Sequence, residues 1–539
     1  MSVRRSYILI PLFIVICSLA VGIFRGGGVN AATVADDPVS QSLKSFTLVY
    51  DTVEHNFADQ VKPDKAIYKG AIPGMLRELD PHSTFFDPKD YAALRDDQRG
   101  HYYGVGMTIQ ARESKIVVMA PFVGSPAYKA GIRPGDVILE VNDKKTESLS
   151  SAEVAELLTG PRGTKVQIVV ARDGADKPIT FDITRDEIPR YSVPYAFWLK
   201  PGIAYLKIDQ FNENTNKEME QHLNRLGEKN IKGLVLDLRE NPGGLLNEGV
   251  DVAGHFLKRN EVVVSHRGLH QPNKVYTASG EGSGVGKDYP IVVVVNRFTA
   301  SAAEIVSGAW QDHDRAWILG ETTFGKGLVQ TVYPMSEGTG LALTTAHYYT
   351  PSGRLIQRDY SNISFLDYYY HNNLDQKNTQ DVKMTDSGRT VYGGGGITPD
   401  EKYTPAKYNA LQTSVLKNGR AALFNFTASW FGNRGDIKLP KGWEPDDAVI
   451  HQFRDYLRKN GAPFTDAEFN QNLPWVKDQL KQEMYATAFS VDESAHVRLE
   501  QDPEILKAIE AMPKAKALLD SAKKMMVQRV AGQVERAAR

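Results

Sequence analysis

Two continuous apolar runs in the middle of the chain predict strands that are buried on both faces. One covers 233–238, and the other covers 291–295, which consists of isoleucine and valine alone. Strands covered on both faces lack the alternation of apolar and polar residues that marks a half-exposed sheet. Each run is followed by loop residues and a helical pattern, and 341–349 predicts a further strand. The region from about 201 to 360 is therefore predicted to be a mixed α/β domain.

Upstream, from about 100 to 183, the pattern changes to short strands separated by glycine turns. A Gly-Val-Gly loop at 104–106 leads into a strand, and Ala-Gly-Ile-Arg-Pro-Gly-Asp-Val-Ile follows at 130–138. Val154 and Leu158 have the spacing of one helix face. Together these residues resemble a PDZ domain over essentially its whole length.

Apolar residues at steps of three and four predict helices toward both ends of the chain. On the N-terminal side the steps run through two sets of positions: Leu43, Phe46, Tyr50 and Val53, then Ile67, Ala71, Met75 and Leu79. Pro73 interrupts the second set. Beyond residue 404 the chain is predicted to be largely helical, with one apolar face formed by Val449, Phe453 and Leu457.

Three shorter signals mark turns and boundaries. Thr465 with Glu468 predicts a capping box at the start of a C-terminal helix. The polar, Asn- and Tyr-rich stretch at about 360–383 is predicted to be an inserted loop. The glycines at 393–396 predict a tight turn, because no Lys-Ser/Thr follows them to complete a phosphate-binding loop.

The first residues predict export. Arg4 and Arg5 precede an apolar run at 7–24, and small residues follow as far as Ala31. This order describes a signal peptide cleaved after Ala31, but the run is also long enough to remain as a membrane anchor. In both cases the positive charges of Arg4 and Arg5 keep the N-terminus in the cytoplasm. We therefore expect the remaining chain in a bacterial periplasm or on the outer face of a membrane.

The amino-acid composition argues against several classes of binding and catalysis. The chain has 539 residues, which predicts several domains, and 64 basic against 65 acidic residues, which provides no net field favouring nucleic acid. Its single cysteine, Cys17, lies in the leader, so the exported part has no thiol for disulfides, cysteine catalysis or thiolate-bound zinc. None of the 12 histidines belongs to a His-Glu-x-x-His motif. We expect neither a metal nor another cofactor.

Ser301 is the candidate nucleophile. It follows the apolar run at 291–295 and opens a helical pattern, so its side chain is expected at the end of a strand. The first amides of a helix are unpaired and lie at the positive end of its dipole, where they can stabilise an oxyanion. A plain helix N-cap explains a serine here as well.

Lys326 is the candidate base. A serine hydroxyl is a poor nucleophile until a base takes its proton, and a lysine does so only as the neutral amine. Apolar surroundings lower a lysine pKa, and Lys326 lies between two glycines, close to Leu328. In an extended segment Gln330 points to the same side and is placed to orient the amine. A solvated lysine in a glycine turn is the alternative.

The turn after the first apolar run supplies a candidate oxyanion site. Gly243 and Gly244 follow that strand and offer backbone amides, and the amide of Ala302 is the candidate second side. An ordinary turn fits these glycines equally well.

A histidine is the alternative base, because Ser-His-Asp triads are common in hydrolases. His313 lies late in the helix after Ser301, and its neighbours Asp312 and Asp314 predict a solvated helix end. His347 is predicted on a strand that approaches the site. Lysine is favoured over both.

Three motifs taken together resemble the carboxyl-terminal processing (tail-specific) peptidases. They are Asp-Leu-Arg-x-Asn-Pro-Gly-Gly at 237–244, Thr-Ala-Ser-Ala-Ala-Glu-Ile at 299–305, and Gly-Lys-Gly-Leu-Val-Gln at 325–330. The serine-to-lysine gap, 326 − 301 = 25 residues, fits that family, as do Asp-Pro-His-Ser at 80–83 and Tyr-Tyr-Thr-Pro-Ser-Gly-Arg at 348–354. The resemblance covers roughly residues 80 to 403 and does not clearly extend over the C-terminal helices.

The resemblance implies a multidomain α/β protein with a crotonase-like (Clp protease/crotonase) core, a β-rich PDZ domain and helical N- and C-terminal regions. It further implies Ser301 as nucleophile, Lys326 as general base and Gln330 as its orienting partner. The amides of Gly243, Gly244 and Ala302 would then bind the oxyanion. Such enzymes need no metal or nucleotide.

In this family the PDZ domain binds the substrate's C-terminal tail. The loop formed by Tyr103, Gly104, Val105 and Gly106 would bind the terminal carboxylate while the peptide adds as a strand. An apolar pocket for the last side chain would be lined by Val105, Met107, Ile109, Val154 and Leu158. Ordinary core packing explains these apolar residues equally well.

The sequence thus predicts a leader (1–31), a helical region (37–98), a PDZ domain (99–186), a protease core (187–403, with the insertion at about 360–383) and a helical region (404–539). The predicted function is that of an exported serine endopeptidase that recognises and cleaves proteins near their C-termini. One alternative is a non-catalytic PDZ scaffold on an inactive protease core, and another is a crotonase-like acyl-transfer enzyme. We also expect homo-oligomers through the terminal helices, and membrane anchoring if 7–24 is retained.

Overall fold

The computed structural model of the protein describes residues 38–112, 114–279, 287–361, 365–370, 378–432 and 439–537. The predicted export signal lies outside these residues. The chain forms two compact units, the first ending at Met75 and the second beginning at Leu76. Across the described ranges, no helix has both the length and the apolar character that crossing a bilayer requires.

In the first unit, the predicted N-terminal helix is confirmed. Helix α1 (Pro38–Asn56) contains the first set of apolar positions, and its Leu43 and Phe46 are exposed. A π-helix (Asp64–Ala71) is followed by α2 (Ile72–Arg77), so most of the second set is helical, including the proline that interrupts it.

The second unit begins with β1 (Thr84–Phe86) and α3 (Pro88–Arg99) and continues into the β-rich region. The elements of that region are β2 (His101–Gly104), β3 (Met107–Arg112), β4 (Lys115–Pro121), α4 (Pro126–Ala130), β5 (Val137–Val141), β6 (Lys144–Lys145), α5 (Ser151–Leu158), β7 (Lys165–Ala171), β8 (Ile179–Thr184) and β9 (Asp186–Pro189). Strands β3-β4-β5-β7-β8 form an antiparallel sheet, with β6 on β5, and β2 pairs with β9. Helix α5 packs on this sheet and completes its core.

The next region contains the central sheet and the helices that connect its strands. Its elements are β10 (Ala196–Lys200), β11 (Ile203–Lys207), α6 (Thr215–Leu226), a 3₁₀ turn (Glu228–Asn230), β12 (Gly233–Asp237), α7 (Leu246–Gly254), β13 (Val262–Arg267), β14 (Lys274–Thr277), β15 (Ile291–Val295), α8 (Ala302–Asp312), β16 (Trp317–Gly320), β17 (Leu328–Pro334), a 3₁₀ turn (Ser336–Gly338), β18 (Gly340–Tyr349), α9 (Phe365–Tyr370), β19 (Asn378–Met384), β20 (Thr390–Gly393) and β21 (Glu401–Lys402).

The two apolar runs of the sequence are neighbouring strands of this central sheet. Its order is β10-β11-β12-β15-β16-β21, parallel from β11 onward, and Leu234 is paired with Ile291. Every residue of β12 and β15 is buried, as the lack of alternation predicted. Because the strands are parallel, the loops after β12 and β15 lie at the same edge of the sheet, where Gly243 and Ser301 follow.

A second sheet supplies the other side of the site. Strands β1-β18-β13-β14 are hydrogen-bonded in that order, and β17 pairs with β18. The predicted strand at 341–349 is thus confirmed as β18. Strand β17 begins two residues after Lys326, so this sheet determines where the lysine loop returns.

The C-terminal region is helical, as predicted. It contains α10 (Ala410–Gly432), α11 (Asp447–Lys459), α12 (Asp466–Gln471), α13 (Leu473–Ala488), α14 (Val491–Glu500) and α15 (Pro503–Ala537). The apolar face of α11 is buried among α10 and α13, and the capping box of Thr465 and Glu468 is present. Helix α15 instead packs on the central sheet, where Ile505 and Ala508 meet residues of β12 and β15.

Two local predictions differ from the structure. The polar stretch at 360–383 contains the helix α9 and most of β19, and Tyr368 of α9 is buried. The helix end around His313 is not solvated: Asp312 and Asp314 are buried and paired with Arg354 and Arg389. The Asp312 and Asp314 carboxylates, which the sequence predicted to be solvated, are buried because arginines from later loops neutralise them.

Candidate active site

Ser301 lies at a strained strand-to-helix turn. Its φ and ψ are 55° and −118°, a conformation that costs a non-glycine residue about 1–3 kcal/mol, and α8 begins at the next residue. The Glu304 carboxylate accepts the Ser301 amide at 2.9 Å and thereby supports the turn. Such strain persists only where the surrounding structure imposes it, and here it directs the serine side chain into a cavity of about 490 Å³.

Lys326 reaches the same cavity from the loop before β17. Its amine donates a hydrogen bond to Gln330 Oε1 at 2.7 Å. Burial lowers the pKa of Lys326, while the carboxylates of Asp80 and Glu304 act in the opposite direction. The lowered pKa increases the fraction of neutral amine, which is the form a general base needs.

Gln330 is the predicted partner of the lysine, and the structure brings the two together. A β-bulge in the pairing of β17 with β18 falls between Val329 and Gln330. The Gln330 amide nitrogen donates to the carbonyl of His82 at 2.6 Å. The glutamine is therefore held at both ends, with its oxygen directed at the amine.

Glu304 and Tyr348 link the serine turn to the lysine loop. The fully buried Glu304 carboxylate accepts the amides of Ser301, Gly325 and Lys326 and the Thr323 hydroxyl. Burial raises its pKa, although these hydrogen bonds favour the ionised form. The Tyr348 hydroxyl lies 3.1 Å from the carbonyl of Ser301 and 2.5 Å from that of Lys326. Sequence reasoning assigned no role to either residue.

The Ser301 hydroxyl and the Lys326 amine line one cavity, and among the described residues no hydrogen bond joins them directly. Catalytic hydrogen bonds are often long in free enzymes and tighten only with substrate bound. The described residues also contain no group of three or more His, Cys, Asp or Glu side chains placed to hold a metal ion.

The predicted oxyanion residues lie beside Ser301. A Cβ on Gly243 would be 2.6 Å from the Ser301 Cβ and 2.9 Å from the Ala302 nitrogen, so these backbones nearly touch. The Gly243 amide already donates to Asn241 Oδ1 at 2.8 Å. Within the described structure the amides of Gly244 and Ala302 donate to no protein acceptor, so they are the pair open to an oxyanion.

The histidines considered from sequence are not in the cavity. His313 bonds Asp386 and the carbonyl of Val262, and His347 is exposed on β18. The cavity is lined instead by His82, which the sequence showed only as part of the Asp-Pro-His-Ser motif. Burial lowers its pKa to about 4, and the nearby Lys326 cation adds to that effect.

The predicted tail-binding residues differ in their exposure to solvent. Val105, Val154 and Leu158 are buried in the core of the β-rich region, as is Met107. Tyr103 is exposed, and Ile109 is partly buried at the edge of that core. Gly104 and Gly106 are buried, and Gly106 has a φ of 78°.

Comparison with known proteins identifies both regions. Residues 202–362 match the peptidase family S41, and residues 117–172 match the PDZ domain. The chain is 38% identical over 321 residues to a carboxy-terminal-processing protease of Bartonella bacilliformis, covering 59% of this chain and 73% of the relative. It is 40% identical over 291 residues to a carboxyl-terminal-processing protease of Synechocystis, covering 52% of this chain and 66% of that protein.

Among solved structures, the photosystem II D1 C-terminal processing protease is 31% identical and has a TM-score of 0.34, covering 67% of this chain and 86% of that one. The family resemblance predicted from three short motifs is confirmed by the two carboxyl-terminal-processing proteases above, which match along about two thirds or more of their own length. This chain belongs to peptidase family S41, and it carries a PDZ domain.

Proposed function

We propose that this chain is an exported serine endopeptidase in which Ser301 and Lys326 form the catalytic dyad and the PDZ domain binds the C-terminal tail of a protein substrate. One observation carries the proposal: a partly buried lysine amine, whose pKa is lowered by desolvation, is held by Gln330 in the cavity that contains Ser301. The names of the relatives, which process carboxyl termini, support the substrate class.

The first step is attack of Ser301 Oγ on the scissile carbonyl. The neutral Lys326 amine, which lines the same cavity as the hydroxyl, takes the proton. The carbonyl oxygen becomes an oxyanion and accepts two amides, that of Ala302 at the start of α8 and that of Gly244 in the turn after β12. Removing one such donor costs an enzyme about 2.7–4 kcal/mol of transition-state stabilisation.

The second step is release of the C-terminal fragment. The ammonium of Lys326 returns its proton to the leaving amine, and the acyl-enzyme remains on Ser301. Water then attacks the ester carbonyl while the amine takes the water's proton. The ester C–O bond breaks, the N-terminal fragment leaves as a carboxylic acid, and the Lys326 ammonium returns its proton to Ser301 Oγ. These steps need no proton donor or acceptor other than the dyad and water.

Export and anchoring are part of the proposal and rest on the sequence of 1–31. The exposed apolar side chains of α1 support self-association through the N-terminal helix. The predicted limits of the PDZ domain, 99–186, and of the protease core, 187–403, complete the proposed domain organisation.

The test is cleavage of an unstructured protein that ends in an apolar residue. Ser301→Ala and Lys326→Ala in the full chain should each lower kcat by about 10³-fold or more. The activity of the wild type should rise with pH as Lys326 loses its proton, with a midpoint below that of an ordinary lysine. Circular dichroism checks that both variants remain folded.

The control is Lys229→Ala, because Lys229 lies in an exposed turn of the same domain. It should retain full activity. Asp314→Ala is not a suitable control, since Asp314 is buried and paired with Arg389. Undiminished cleavage by Lys326→Ala would refute the dyad, and cleavage by neither wild type nor variants would favour the scaffold alternative.

A further inference from the structure

The Lys326 amine is the start of a hydrogen-bonded path that leads to His82. The amine donates to Gln330 Oε1 at 2.7 Å, and Gln330 Nε2 donates to the His82 carbonyl at 2.6 Å. The backbone of His82 is itself fixed, because its amide donates to Asp80 Oδ1 at 2.7 Å. The first path thus connects the side chain of the lysine to a buried turn 248 residues away from Gln330 in sequence.

A second path leads from the lysine loop to the same histidine. The amide of Gly327 donates to Gln357 Oε1 at 2.8 Å, and Gln357 Nε2 donates to the Tyr368 hydroxyl at 3.2 Å. That hydroxyl lies 3.0 Å from His82 Nε2. The two paths meet at His82, so the hydrogen bonds, together with the covalent bonds within His82 and from the Lys326 side chain to the Gly327 amide, form a closed ring that includes the lysine.

The proton positions in this ring are mutually consistent. The Tyr369 hydroxyl donates to the carbonyl of Pro81 at 3.2 Å and lies 3.1 Å from His82 Nδ1, which must then be the donor to it. His82 Nε2 is left as an acceptor for the Tyr368 hydroxyl, which in turn accepts from Gln357. A neutral His82 with its proton on Nδ1 satisfies every member.

Tyr368 is fixed by its own packing. It is 2% exposed, and the Arg358 guanidinium lies 4.5 Å from its ring centroid and 4.6 Å from that of Phe324. Arg358 also donates to the Tyr368 carbonyl at 2.5 Å. The tyrosine therefore reaches His82 from α9 as an ordered part of the structure.

We propose that Tyr368 is a positioning residue for Lys326, whose hydroxyl closes a ring through His82, Gln330 and Gln357 and keeps the lysine amine in place and shielded from water. This rests on the proposed role of Lys326 as the base. Tyr368 does not touch the reacting atoms. It acts on the Lys326 amine through His82 and Gln330, and on the backbone that follows the lysine through Gln357. The Asn- and Tyr-rich stretch, which the sequence predicted to be an inserted loop, thereby supports the catalytic centre.

Breaking this ring of contacts is expected to change the pKa of Lys326. The charged groups that act on the Lys326 amine are the carboxylates of Asp80 and Glu304, which raise its pKa, while burial lowers it more strongly. His82 stays neutral, because burial and the nearby cations of Lys326 and Arg358 lower its pKa. Water admitted by an open ring weakens the burial effect, so the pKa of Lys326 should rise toward its ordinary value.

The experiment is Tyr368→Phe in the full chain, compared with Tyr360→Phe. Tyr360 belongs to the same aromatic cluster, and its hydroxyl takes no part in the ring. For Tyr368→Phe we expect kcat at neutral pH to fall by about fivefold or more with KM nearly unchanged. We also expect the rising limb of its pH–kcat profile to move upward by about half a pH unit or more. Tyr360→Phe should match the wild type in both.

Superimposable pH profiles for Tyr368→Phe and Tyr360→Phe would overturn the ring, even if the former lowers the melting temperature. If Tyr368→Phe does not fold, Gln357→Met interrupts the same path and carries the same expectation. Lys326→Ala is measured alongside. Full activity in that variant would refute the dyad itself, whereas an inactive Lys326→Ala with an unshifted Tyr368→Phe would refute only the ring.

Discussion

At the scale of single residues, Gly243 shows how closely the oxyanion turn and the serine turn approach. Its φ is 95°, and a Cβ there would lie 2.6 Å from the Ser301 Cβ, 2.8 Å from the Ala300 carbonyl and 2.9 Å from the Ala302 nitrogen. Real Cβ atoms essentially never approach other atoms so closely, and two of the three contacts are with backbone that cannot rotate away. Any side chain at 243 must therefore move Ser301.

Gly243→Ala is expected to abolish most activity and to reduce stability. The positive φ alone costs an alanine about 1 kcal/mol or more, and displacement of the serine turn adds to it. The matched control is Gly388→Ala, at a φ of 83° with nothing within 4 Å of the added Cβ. It should show the backbone cost in urea unfolding while retaining full kcat. Comparable loss of kcat in both variants would show that the effect is not local to Ser301.

Sequence patterns identified the chemistry at this scale but not its supports. Ser301 was predicted because it follows an apolar strand, Lys326 because it lies between glycines, and Gln330 because it shares an extended segment with the lysine, and the motifs that resemble a peptidase family contain all three. His82 is 248 residues from Gln330, and the contact between them uses a carbonyl oxygen, which every residue type has. No residue pattern marks such a contact. The Glu304 role was equally hidden, because a glutamate in the first turn of a helix is ordinary.

At the scale of elements, helix α15 is part of the protease core rather than an appendage. It packs on β12, which leads to the oxyanion turn, on β15, which leads to Ser301, and on β16. Arg239, two residues after β12, pairs with Asp237 at the end of that strand and with Asp502 and Glu504 at the start of α15. Two of the three carboxylates, those of Asp237 and Glu504, are buried, and burying a carboxylate is costly unless a cation pairs with it or it is protonated.

Glu504→Gln should remove a pH dependence of stability. Burial raises the pKa of Glu504 from 4.5 to about 7, and its exposed fraction is only 5%. A carboxyl whose pKa is higher in the folded state favours folding at low pH, and that contribution is lost as pH rises through about 7. From pH 5 to 8 the free energy of unfolding of the wild type should fall by roughly 1–3 kcal/mol relative to the variant.

Urea unfolding at pH 5, 6, 7 and 8 measures this difference. The control is Glu510→Gln, a substitution on the same helix at a side chain that is 69% exposed. It should follow the wild type at every pH. Parallel curves for the wild type and Glu504→Gln would mean that Glu504 stays ionised throughout.

Elements with a strong local signal were predictable, and those stabilised from a distance were not. Strands β12 and β15 were predictable because burial on both faces excludes polar residues from their five successive positions. The one exception is Asp237, the last residue of β12. The helix end at Asp312 and Asp314 was misjudged because its arginine partners lie 42 and 75 residues further along the chain. Charge in a sequence predicts exposure only when no distant partner neutralises it.

At the scale of the second unit, the PDZ domain contacts the C-terminal helices as well as the protease core. The Arg112 guanidinium at the end of β3 lies 4.6 Å from the ring centroid of Phe424 on α10. A Cβ on Gly135 would lie 3.0 Å from the Ala428 Cβ of the same helix. The helix α10 therefore contacts the domain that we propose binds the substrate tail.

If the PDZ loop binds a terminal carboxylate, the enzyme should distinguish free from amidated tails. A hydrogen bond to a charged group contributes about 1.5–3 kcal/mol, so amidation should raise KM by roughly tenfold or more and leave kcat nearly unchanged. Gly106→Ala should abolish this distinction, because its φ is 78° and a Cβ would lie 2.5 Å from the Ser125 Cβ. Gly163→Ala, at a φ of 83° with free space around the added atom, should preserve it. Equal KM values for both tails in the wild type would remove carboxylate recognition from the proposal and leave the dyad untouched, since the chemistry at Ser301 needs only an extended peptide in the cavity.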